Sequence, residues 1–305
     1  MFIRQLVYLS TLAEERHFGR AAAACHVSQP ALSGAIQKLE QELGVLIVQR
    51  GQRFEGFTCD GERILLWARR ILADCEALKQ AAHHNAQALT GSLRLGSIPT
   101  ALPLIPFFIE ACLLAHTQVQ HQVYTMAATD LLRKLHAFEL DLGLGYLDEQ
   151  HDPQFETLAL FQERYVLVAR HRDYFHGRQD MHWADVAQLP LCLLTPNMQS
   201  RRGIDQAFLR AGSQATPVLE SDSLTILCSH VQQLGLYSIL PHSVFCLSDI
   251  TEHLVALPLR PHLYRQIGVI TRAGHPHAPL LQAALHLFQR LNLQDTINAL
   301  TPKNG

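Results

Sequence analysis

Two stripes of apolar residues at helical spacing mark the N-terminal part of the chain. The first stripe predicts a helix over residues 2–13 and consists of Phe2, Leu6, Leu9 and Leu12. The second stripe predicts a longer helix and consists of Leu32, Ile36, Leu39 and Leu43. Between them, residues 20–24 are strong helix formers, and only a very short spacer follows. The pattern predicts a helix-turn-helix whose second helix is available to the major groove of DNA.

The polar positions of the second helix follow a separate pattern. Ser28 suits the N-cap because its hydroxyl can accept a bond from a free backbone N–H, and Pro30 suits the first turn. Gln29, Ser33 and Gln37 recur every four residues, so they share a face other than the apolar one. We predict that these five residues lie at the DNA and that the last three contact base edges. An ordinary solvated face is the alternative.

A compact stretch follows the second helix and ends at Thr58. Its apolar pairs flank a basic turn around Gly51, which predicts the small hairpin that is called a wing in DNA-binding domains. Arg50 and Arg53 lie in this hairpin, and with Lys38 they are the candidate phosphate contacts. Each of the three could instead be an ordinary surface residue.

A long helix is predicted from the N-cap Thr58 to about Ala88, with two acidic residues in its first turn. Its apolar positions follow a heptad seam and are Ile64, Ala68, Ile71, Cys75 and Leu78. Such a seam favours dimerisation through a partner helix. Packing of the same residues against their own domain is the alternative.

Alternating strands and helices follow from Gly91, which is typical of an α/β fold. The predicted strands are Ser92–Ser97, Val119–Tyr124, Asp141–Tyr146, Tyr165–Ala169, Leu191–Leu194, Leu236–Leu240 and Gln266–Thr271. The predicted helices are Leu102–Leu114 and Ala278–Leu291, and the tail from Thr301 is expected to fray.

Composition narrows the class of protein. The 305 residues are 48% hydrophobic and 17% charged with a formal net charge of −2, so any DNA-binding surface must be a local patch. The seven cysteines are odd in number and widely spaced, which favours free thiols in a reducing compartment. No signal peptide or membrane-spanning apolar run is evident, so we expect a cytoplasmic protein without a membrane partner.

At this point the sequence resembles the LysR-type transcriptional regulators. The residues that carry the resemblance are Phe18–Ala22, Val27–Ser33, Ile36, Leu39-Glu40, Leu43–Val45, Arg50, Phe57-Thr58, Gly61 and Phe138–Leu144. The resemblance implies an α/β multidomain protein with three parts. These are a winged helix-turn-helix over residues 1–58, a linker and dimerisation helix over 59–90, and an effector domain over 91–305. That domain would resemble type 2 periplasmic binding proteins, with lobe I at 91–161 and 266–301 and lobe II at 162–265.

The same resemblance implies partners. Members of the family form homodimers that assemble into homotetramers, bind double-stranded promoter DNA and bend it. A small-molecule effector bound between the lobes changes that bend. RNA polymerase is a further candidate partner, and no cofactor is expected.

Two strand-to-helix turns are the candidate effector site. Ser97–Thr100 and the loop from Thr195 to Arg201 both place hydroxyl and amide groups at helix N-termini, where the helix dipole favours an anion such as a carboxylate. The resemblance places both turns between the lobes. The predicted contacts are Ser97, Thr100, Asn197 and Gln199, followed by Thr129 and Ser221. Helix capping alone is the alternative for each.

Other chemistries have weaker support. The peroxide sensors of the family use a cysteine pair in the region that matches residues 195–212, where this chain has no cysteine; Cys192 lies just before it. The His83-His84 pair and the His275–His277 segment lack paired ligands at metal spacing, so no metal site is predicted. The chain lacks the usual catalytic motifs, so we do not expect an enzyme. The alternative is a cytosolic solute-binding or enzymatic protein with an accessory DNA-binding domain.

Overall fold

The computed structural model describes residues 1–49, 54–82, 89–148, 152–247, 251–274 and 276–302. They divide into two units. The first unit is built from residues 1–85 with 137–139 and 276–279, and the second from the remainder of the chain.

The helices of the first unit follow the predicted apolar periodicity. They are α1 (Ile3–Glu15), α2 (Phe18–Ala24), α3 (Gln29–Leu43) and α4 (Cys59–Ala82). The Ser28 hydroxyl caps α3 by accepting a bond from the Ala31 N–H at 3.4 Å, as predicted, and Gly44 ends the helix in the left-handed conformation at φ 69°. The helix-turn-helix prediction is confirmed.

The short segment between α3 and α4 holds the start of α4 against the domain core. Ile47 is fully buried, and its backbone carbonyl accepts a bond from the Thr58 N–H at 2.9 Å. The Thr58 hydroxyl then accepts from the Gly61 N–H at 2.9 Å and so caps α4, as predicted. A Cβ atom at Gly61 would collide with the Ile47 carbonyl, so this helix start requires glycine.

The second unit contains one ten-stranded sheet with helices packed on it. The strands are β1 (Gly91–Ser97), β2 (Val119–Thr125), β3 (Leu142–Tyr146), β4 (Phe155–Ala169), β5 (Met181–His182), β6 (Leu191–Leu194), β7 (Leu219–Ser221), β8 (Tyr237–Pro241), β9 (Val255–Arg260) and β10 (Tyr264–Arg272). The helices are α5 (Ile105–Ala115), α6 (Ala128–His136), α7 (Trp183–Val186), α8 (Gln199–Arg210), α9 (Leu224–Leu234), α10 (Pro279–Arg290) and α11 (Leu293–Leu300). Three short 3-10 helices accompany them, at Pro99–Leu104, Arg172–Phe175 and His242–Cys246.

Strand β4 belongs to both halves of this sheet. Its residues 155–164 pair with β10, which continues through β3 and β1 to the edge strand β2. From Tyr165 onward β4 pairs instead with β8 and β9, and the sheet continues through β6 to β7. We call the half around β1 the first lobe and the half around β6 the second lobe. The predicted lobe limits stay a prediction; the change of pairing falls at residue 165, three residues after the predicted start of lobe II.

Several elements differ from the sequence-based expectation. The helix predicted over Leu102–Leu114 begins as a 3-10 helix, because Pro103 and Pro106 deny backbone donors to the first turns. The strand predicted at Tyr165–Ala169 begins ten residues earlier, at Phe155. The alternating exposure of those added residues shows why the apolar run alone did not reveal them. Strands β5, β7 and β9 and helix α11 were not predicted; β5 and β7 are only two and three residues long, and β9 is interrupted in its apolar pattern by Pro258.

Candidate functional sites

The polar face of α3 is available to a partner. Gln29, Gln37 and Lys38 are exposed and Ser33 is half-buried, whereas the opposite stripe of Leu32, Ile36 and Leu39 is buried. Residues four apart on a helix lie on one face, so the three predicted base contacts form one row. Ser28 and Pro30 are exposed at the start of this helix, and the Ser28 hydroxyl is used for capping.

Only the base of the predicted wing falls within the described residues. Val48 and Phe57 form an antiparallel bridge, and the Gln49 N–H donates to the Gly56 carbonyl at 3.0 Å. These contacts confirm that the chain reverses direction here. Arg50 and Arg53, the predicted phosphate contacts, lie outside the described residues. Lys38 is exposed, with its ammonium 5.9 Å from the Phe2 ring centroid.

The seam of α4 is divided between two environments. Ala68 is only 1% exposed and packs in the core of its own domain, with Ile64 and Ile71 against the same cluster. Ala68 is therefore unavailable to a second chain, which corrects its place in the predicted dimerisation set. Ile64 and Ile71 are only partly buried, so their place in the dimerisation seam stays a prediction. Leu78 is 70% exposed, and Cys75 is partly exposed, so the C-terminal part of the seam remains open.

The predicted effector contacts in the first lobe are buried and already bonded. Ser97 is fully buried, and its hydroxyl donates to the Ile98 carbonyl at 3.0 Å. Thr100 is 2% exposed, and its hydroxyl lies 2.9 Å from the phenolic oxygen of Tyr146. The predicted outward-facing turn required both side chains to point into solvent. Neither does so. A ligand that binds Thr100 must therefore displace an existing hydrogen bond.

The predicted contacts in the second lobe are more accessible. Asn197 is exposed, and Gln199 is half-buried at the first position of α8. The Ser221 hydroxyl accepts from the Ser223 N–H at 3.1 Å and so has a local structural role. The Ser221 backbone carbonyl accepts from the Thr195 N–H at 3.2 Å, which joins the ends of β6 and β7. Thr129, on α6, is exposed.

Arg201 fixes the turn in front of α8. Arg201 is 6% exposed, and its guanidinium donates to the Leu194 carbonyl at 2.6 Å, the Glu220 carboxylate at 2.6 Å and the Asp205 carboxylate at 2.8 Å. A buried guanidinium needs such partners, because an unpaired buried charge is costly. The turn that carries Asn197 and Gln199 therefore begins from a rigid anchor at the end of β6.

A buried polar cluster that the sequence did not reveal surrounds Thr100. Glu163 is fully buried on β4, with the hydroxyls of Tyr146 and Ser243 at 3.3 and 3.2 Å from its two carboxyl oxygens. The Tyr165 hydroxyl lies 2.8 Å from that of Tyr146. Burial raises the pKa of Glu163 to about 8, while hydrogen bonds from Ser243 and Tyr146 and the charge of Arg265 act in the opposite direction. The Ser243 hydroxyl also reaches the Thr100 carbonyl, at 3.3 Å.

Two cysteines of the second lobe are buried in a way that disfavours thiol chemistry. Cys192 and Cys228 are fully buried, and burial raises their pKa values to about 11 and about 12. At neutral pH both are thiols, whereas the thiolate is the reactive form. Residues 195–212, which include α8, contain no cysteine.

Metal ligation and membrane insertion have no support in the described part of the chain. Among those residues, no group of three or more histidine, cysteine or acidic side chains could hold a metal ion. None of the helices in the described ranges is both long and apolar enough to cross a bilayer.

A helix-turn-helix unit that shares one chain with a two-lobed α/β unit defines a class, the ligand-responsive DNA-binding proteins. Two family models agree with this arrangement. "Bacterial regulatory helix-turn-helix protein, lysR family" matches residues 3–62, and "LysR substrate binding domain" matches residues 86–292. The chain belongs to the LysR family of transcriptional regulators. It is a DNA-binding regulator with an effector-binding domain, and the matches do not favour the alternative of a solute-binding or enzymatic protein.

Similar proteins of known role are transcription factors. The DNA-binding transcriptional dual regulator OxyR of Escherichia coli K12 is 33% identical over 281 residues, which cover 90% of this chain and 91% of that protein. The SDS degradation transcriptional activation protein of a Pseudomonas species is 32% identical, over 92% of this chain and 93% of that protein. These relatives point away from an enzymatic role.

Solved structures show the same architecture. Full-length OxyR from Pseudomonas aeruginosa, in a cysteine-to-aspartate form, aligns with a TM-score of 0.76 at 29% identity, over 95% of this chain and 98% of that one. CbnR in complex with its target DNA aligns with a TM-score of 0.65 at 22% identity, over 95% and 99% of the two chains, which supports the fold alone.

Proposed function

We propose that this regulator binds double-stranded promoter DNA by placing α3 in the major groove. The observation that carries the proposal is the division of α3 into a buried apolar stripe and an exposed row of Gln29, Ser33 and Gln37. In this role the row contacts base edges, and glutamine suits adenine because its amide can donate and accept at once. Arg50, Arg53 and Lys38 contact phosphates and supply the salt-dependent part of the affinity.

The proposed effector is a small anion, such as a carboxylate, that binds without covalent chemistry between the lobes. The accessible side chains Asn197 and Gln199 supply its first contacts, together with the positive end of the α8 dipole. Ser97 and Thr100 supply contacts from the first lobe only after Thr100 exchanges its bond to Tyr146 for one to the ligand. In this scheme Thr129 and Ser221 are secondary contacts of the effector.

Thiol-based peroxide sensing is not part of this proposal, although several relatives carry that role in their names. Helix α8 lacks cysteine, and the neighbouring Cys192 is buried as a neutral thiol. The absence of the reactive group from α8 favours a response to ligand binding instead.

Assembly completes the proposal. The open C-terminal part of the α4 seam joins two chains, and two such dimers form a tetramer on promoter DNA in the cytoplasm. Effector binding changes the bend of that DNA and, through it, contact with RNA polymerase.

The test is footprinting on the promoter next to the chain's own gene, with and without small carboxylates and oxyanions. The expected result is a protected operator whose bend changes with one ligand. A ligand that binds the folded protein also raises its melting temperature by mass action, which identifies effectors independently of DNA. Protection that is equal on operator and random DNA would overturn the proposed role of α3.

A further inference from the structure

The buried cluster around Glu163 joins the two lobes through hydroxyl groups. We define the Glu163 cluster as Thr100, Tyr146, Glu163, Tyr165 and Ser243. Thr100 comes from the 3-10 helix Pro99–Leu104 of the first lobe, and Ser243 comes from the 3-10 helix His242–Cys246 of the second. Every member is at most 5% exposed, so water is excluded and the members depend on one another for hydrogen bonds.

Five hydrogen bonds hold the Glu163 cluster together, and they form one chain of contacts. Tyr146 OH meets Thr100 Oγ1 at 2.9 Å, Tyr165 OH at 2.8 Å and Glu163 Oε2 at 3.3 Å. Ser243 Oγ meets Glu163 Oε1 at 3.2 Å and the Thr100 carbonyl at 3.3 Å. Both Ser243 contacts and the contact between Tyr146 and Tyr165 join the two lobes.

The positive charge of Arg265 favours the ionised form of Glu163, but burial of the carboxyl is the larger influence on its pKa. Arg265, on β10, lies 4.2 Å from the Tyr146 ring centroid, but its Nε donates to Asp148 at 2.6 Å. His242, next to Ser243, accepts from the Arg164 N–H at 3.2 Å. Burial, followed by the nearby Arg164 charge, lowers the pKa of His242 to about 4, so this histidine is neutral near pH 7. Burial likewise raises the pKa values of Tyr146 and Tyr165, which keeps both phenols protonated.

The number of protons decides which of the five bonds can exist. The four hydroxyls bring one proton each, so they can fill four of the five contacts. With Glu163 ionised, the carboxylate only accepts, and charge-assisted bonds are about twice as strong as neutral ones. Ser243 then donates to Glu163, and no proton remains for the Thr100 carbonyl.

With Glu163 protonated, every contact receives one proton. The carboxyl O–H donates from Oε1 to Ser243 Oγ, and Ser243 donates to the Thr100 carbonyl. Tyr146 donates to Oε2, while Thr100 and Tyr165 both donate to Tyr146. This arrangement uses five protons for the five contacts and leaves no buried carboxylate.

We infer that Glu163 is a proton-binding site and that its proton decides whether Ser243 of the second lobe donates to Thr100 of the first. Protonation adds the bond from Ser243 to the Thr100 carbonyl, and loss of the proton releases this bond because Ser243 then donates to Glu163. The inference goes beyond the proposed function, because it requires neither DNA nor an effector. It makes the coupling between the lobes sensitive to pH near neutrality.

Electrostatics supports the geometric argument. The pKa of Glu163 is raised to about 8, and burial is the largest cause. Since the ordinary value is 4.5, the folded protein holds this proton across a range in which the unfolded chain has lost it. Stability from this group is therefore fully present at low pH and falls as the pH rises toward about 8.

Infrared spectroscopy of the full-length protein tests the proton directly. The carbonyl stretch of a protonated, buried carboxyl should be present near about pH 6 and disappear near about pH 9. Glu163→Gln should remove this band, whereas Glu110→Gln, at an exposed glutamate of α5, should leave it unchanged. A wild-type spectrum without the band would overturn the inference, whatever the variants do.

Amide hydrogen exchange tests the link between the lobes. In the wild type, exchange protection of residues 98–104 and 242–247 should fall between about pH 7 and about pH 9 after correction for intrinsic rates. Glu163→Gln should keep its protection at both pH values, because its amide donates to Ser243 as the protonated acid does. Ser243→Ala should lower protection at both. The same pH dependence in wild type and in Glu163→Gln would show that Glu163 does not control the link.

Discussion

The hydroxyl of Thr100 lies 2.9 Å from the phenolic oxygen of Tyr146, and both side chains are buried. An effector that uses Thr100 must therefore compete with a protein group rather than with water. The free energy that the effector gains at Thr100 is the difference between its own hydrogen bond to Thr100 and the bond to Tyr146 that it replaces. The conformational response is coupled to this replacement.

Thr100→Val tests the exchange, because valine keeps the shape and removes the hydroxyl. We expect unfolding free energy to fall by about 1–3 kcal/mol, the usual cost of removing a buried partner. Thermal denaturation measures the change, and calorimetry with an identified effector measures the affinity. The matched control is Thr129→Val, at an exposed position of α6, which should be nearly neutral for stability. Equal stability of both variants would show that the Tyr146 bond contributes nothing.

Gln29→Ala tests base contact by α3. The variant should lose about 1–3 kcal/mol of discrimination between operator and random DNA, the value of one good bidentate contact. Salt titrations of binding to both DNAs measure this difference and should show an unchanged slope. Gln206→Ala, at an exposed glutamine of α8, is the control for the chemical change alone. If Gln29→Ala weakens both DNAs equally, the residue positions the helix without selecting a base.

Leu78→Glu tests the open part of the α4 seam. Leu78 is 70% exposed, so the substitution should not disturb the folded domain. In a dimer seam it would bring charges into an apolar contact, and sedimentation should then show dissociation at low micromolar concentration. Lys79→Glu introduces the same side chain at the neighbouring exposed position and should leave the assembly intact. Unchanged sedimentation of Leu78→Glu would show that the dimer contact does not involve Leu78.

Alkylation of the native chain tests the state of the thiols. Cys59 is exposed and should react first, whereas Cys192 and Cys228 should be protected by burial and by pKa values of about 11 and about 12. Mass spectrometry after short exposure to iodoacetamide near pH 7 gives the order of labelling. Rapid labelling of Cys192 in the folded protein would show that this thiol is accessible and reactive, which would contradict the argument against a thiol-based response.

Two glycines of the first unit should respond to alanine in opposite ways. Gly61→Ala forces a Cβ into the Ile47 carbonyl, so it should lower the melting temperature of the domain. At Gly34, on α3, a Cβ atom would have open space around it. Because alanine loses less backbone entropy than glycine in a helix, Gly34→Ala should stabilise the helix by about 0.5–1 kcal/mol. Calorimetry of both variants checks the contrast; a stable Gly61→Ala protein would mean that the start of α4 can shift.

The helix-turn-helix was predictable because its signals are local. Ser28, Pro30 and the stripe from Leu32 to Leu43 lie within 16 residues, and periodicity reports them directly. The division of the α4 seam was not predictable, because the same heptad spacing suits a partner chain and the helices of the domain itself. Only the packing of Ala68 distinguishes them.

The Glu163 cluster lay beyond sequence reasoning because its members come from distant segments. Thr100 and Ser243 are 143 positions apart, and the order of strands in the sheet brings them together. One signal was present. Phe161, Glu163 and Tyr165 occupy alternate positions of one strand, so a lone carboxylate shares the buried face of two aromatic residues.

Strand β4 has a consequence for how regulators of this architecture can diversify. Because one uninterrupted strand supplies pairing edges to both lobes, neither lobe is a module that recombination can exchange as a unit. A chimaera joined near residue 165 would combine two registers within a single strand and disturb the hydrogen bonds on both sides of the join. Protein engineering of the response to ligand should therefore begin with substitutions within a lobe and not with exchange of a whole lobe.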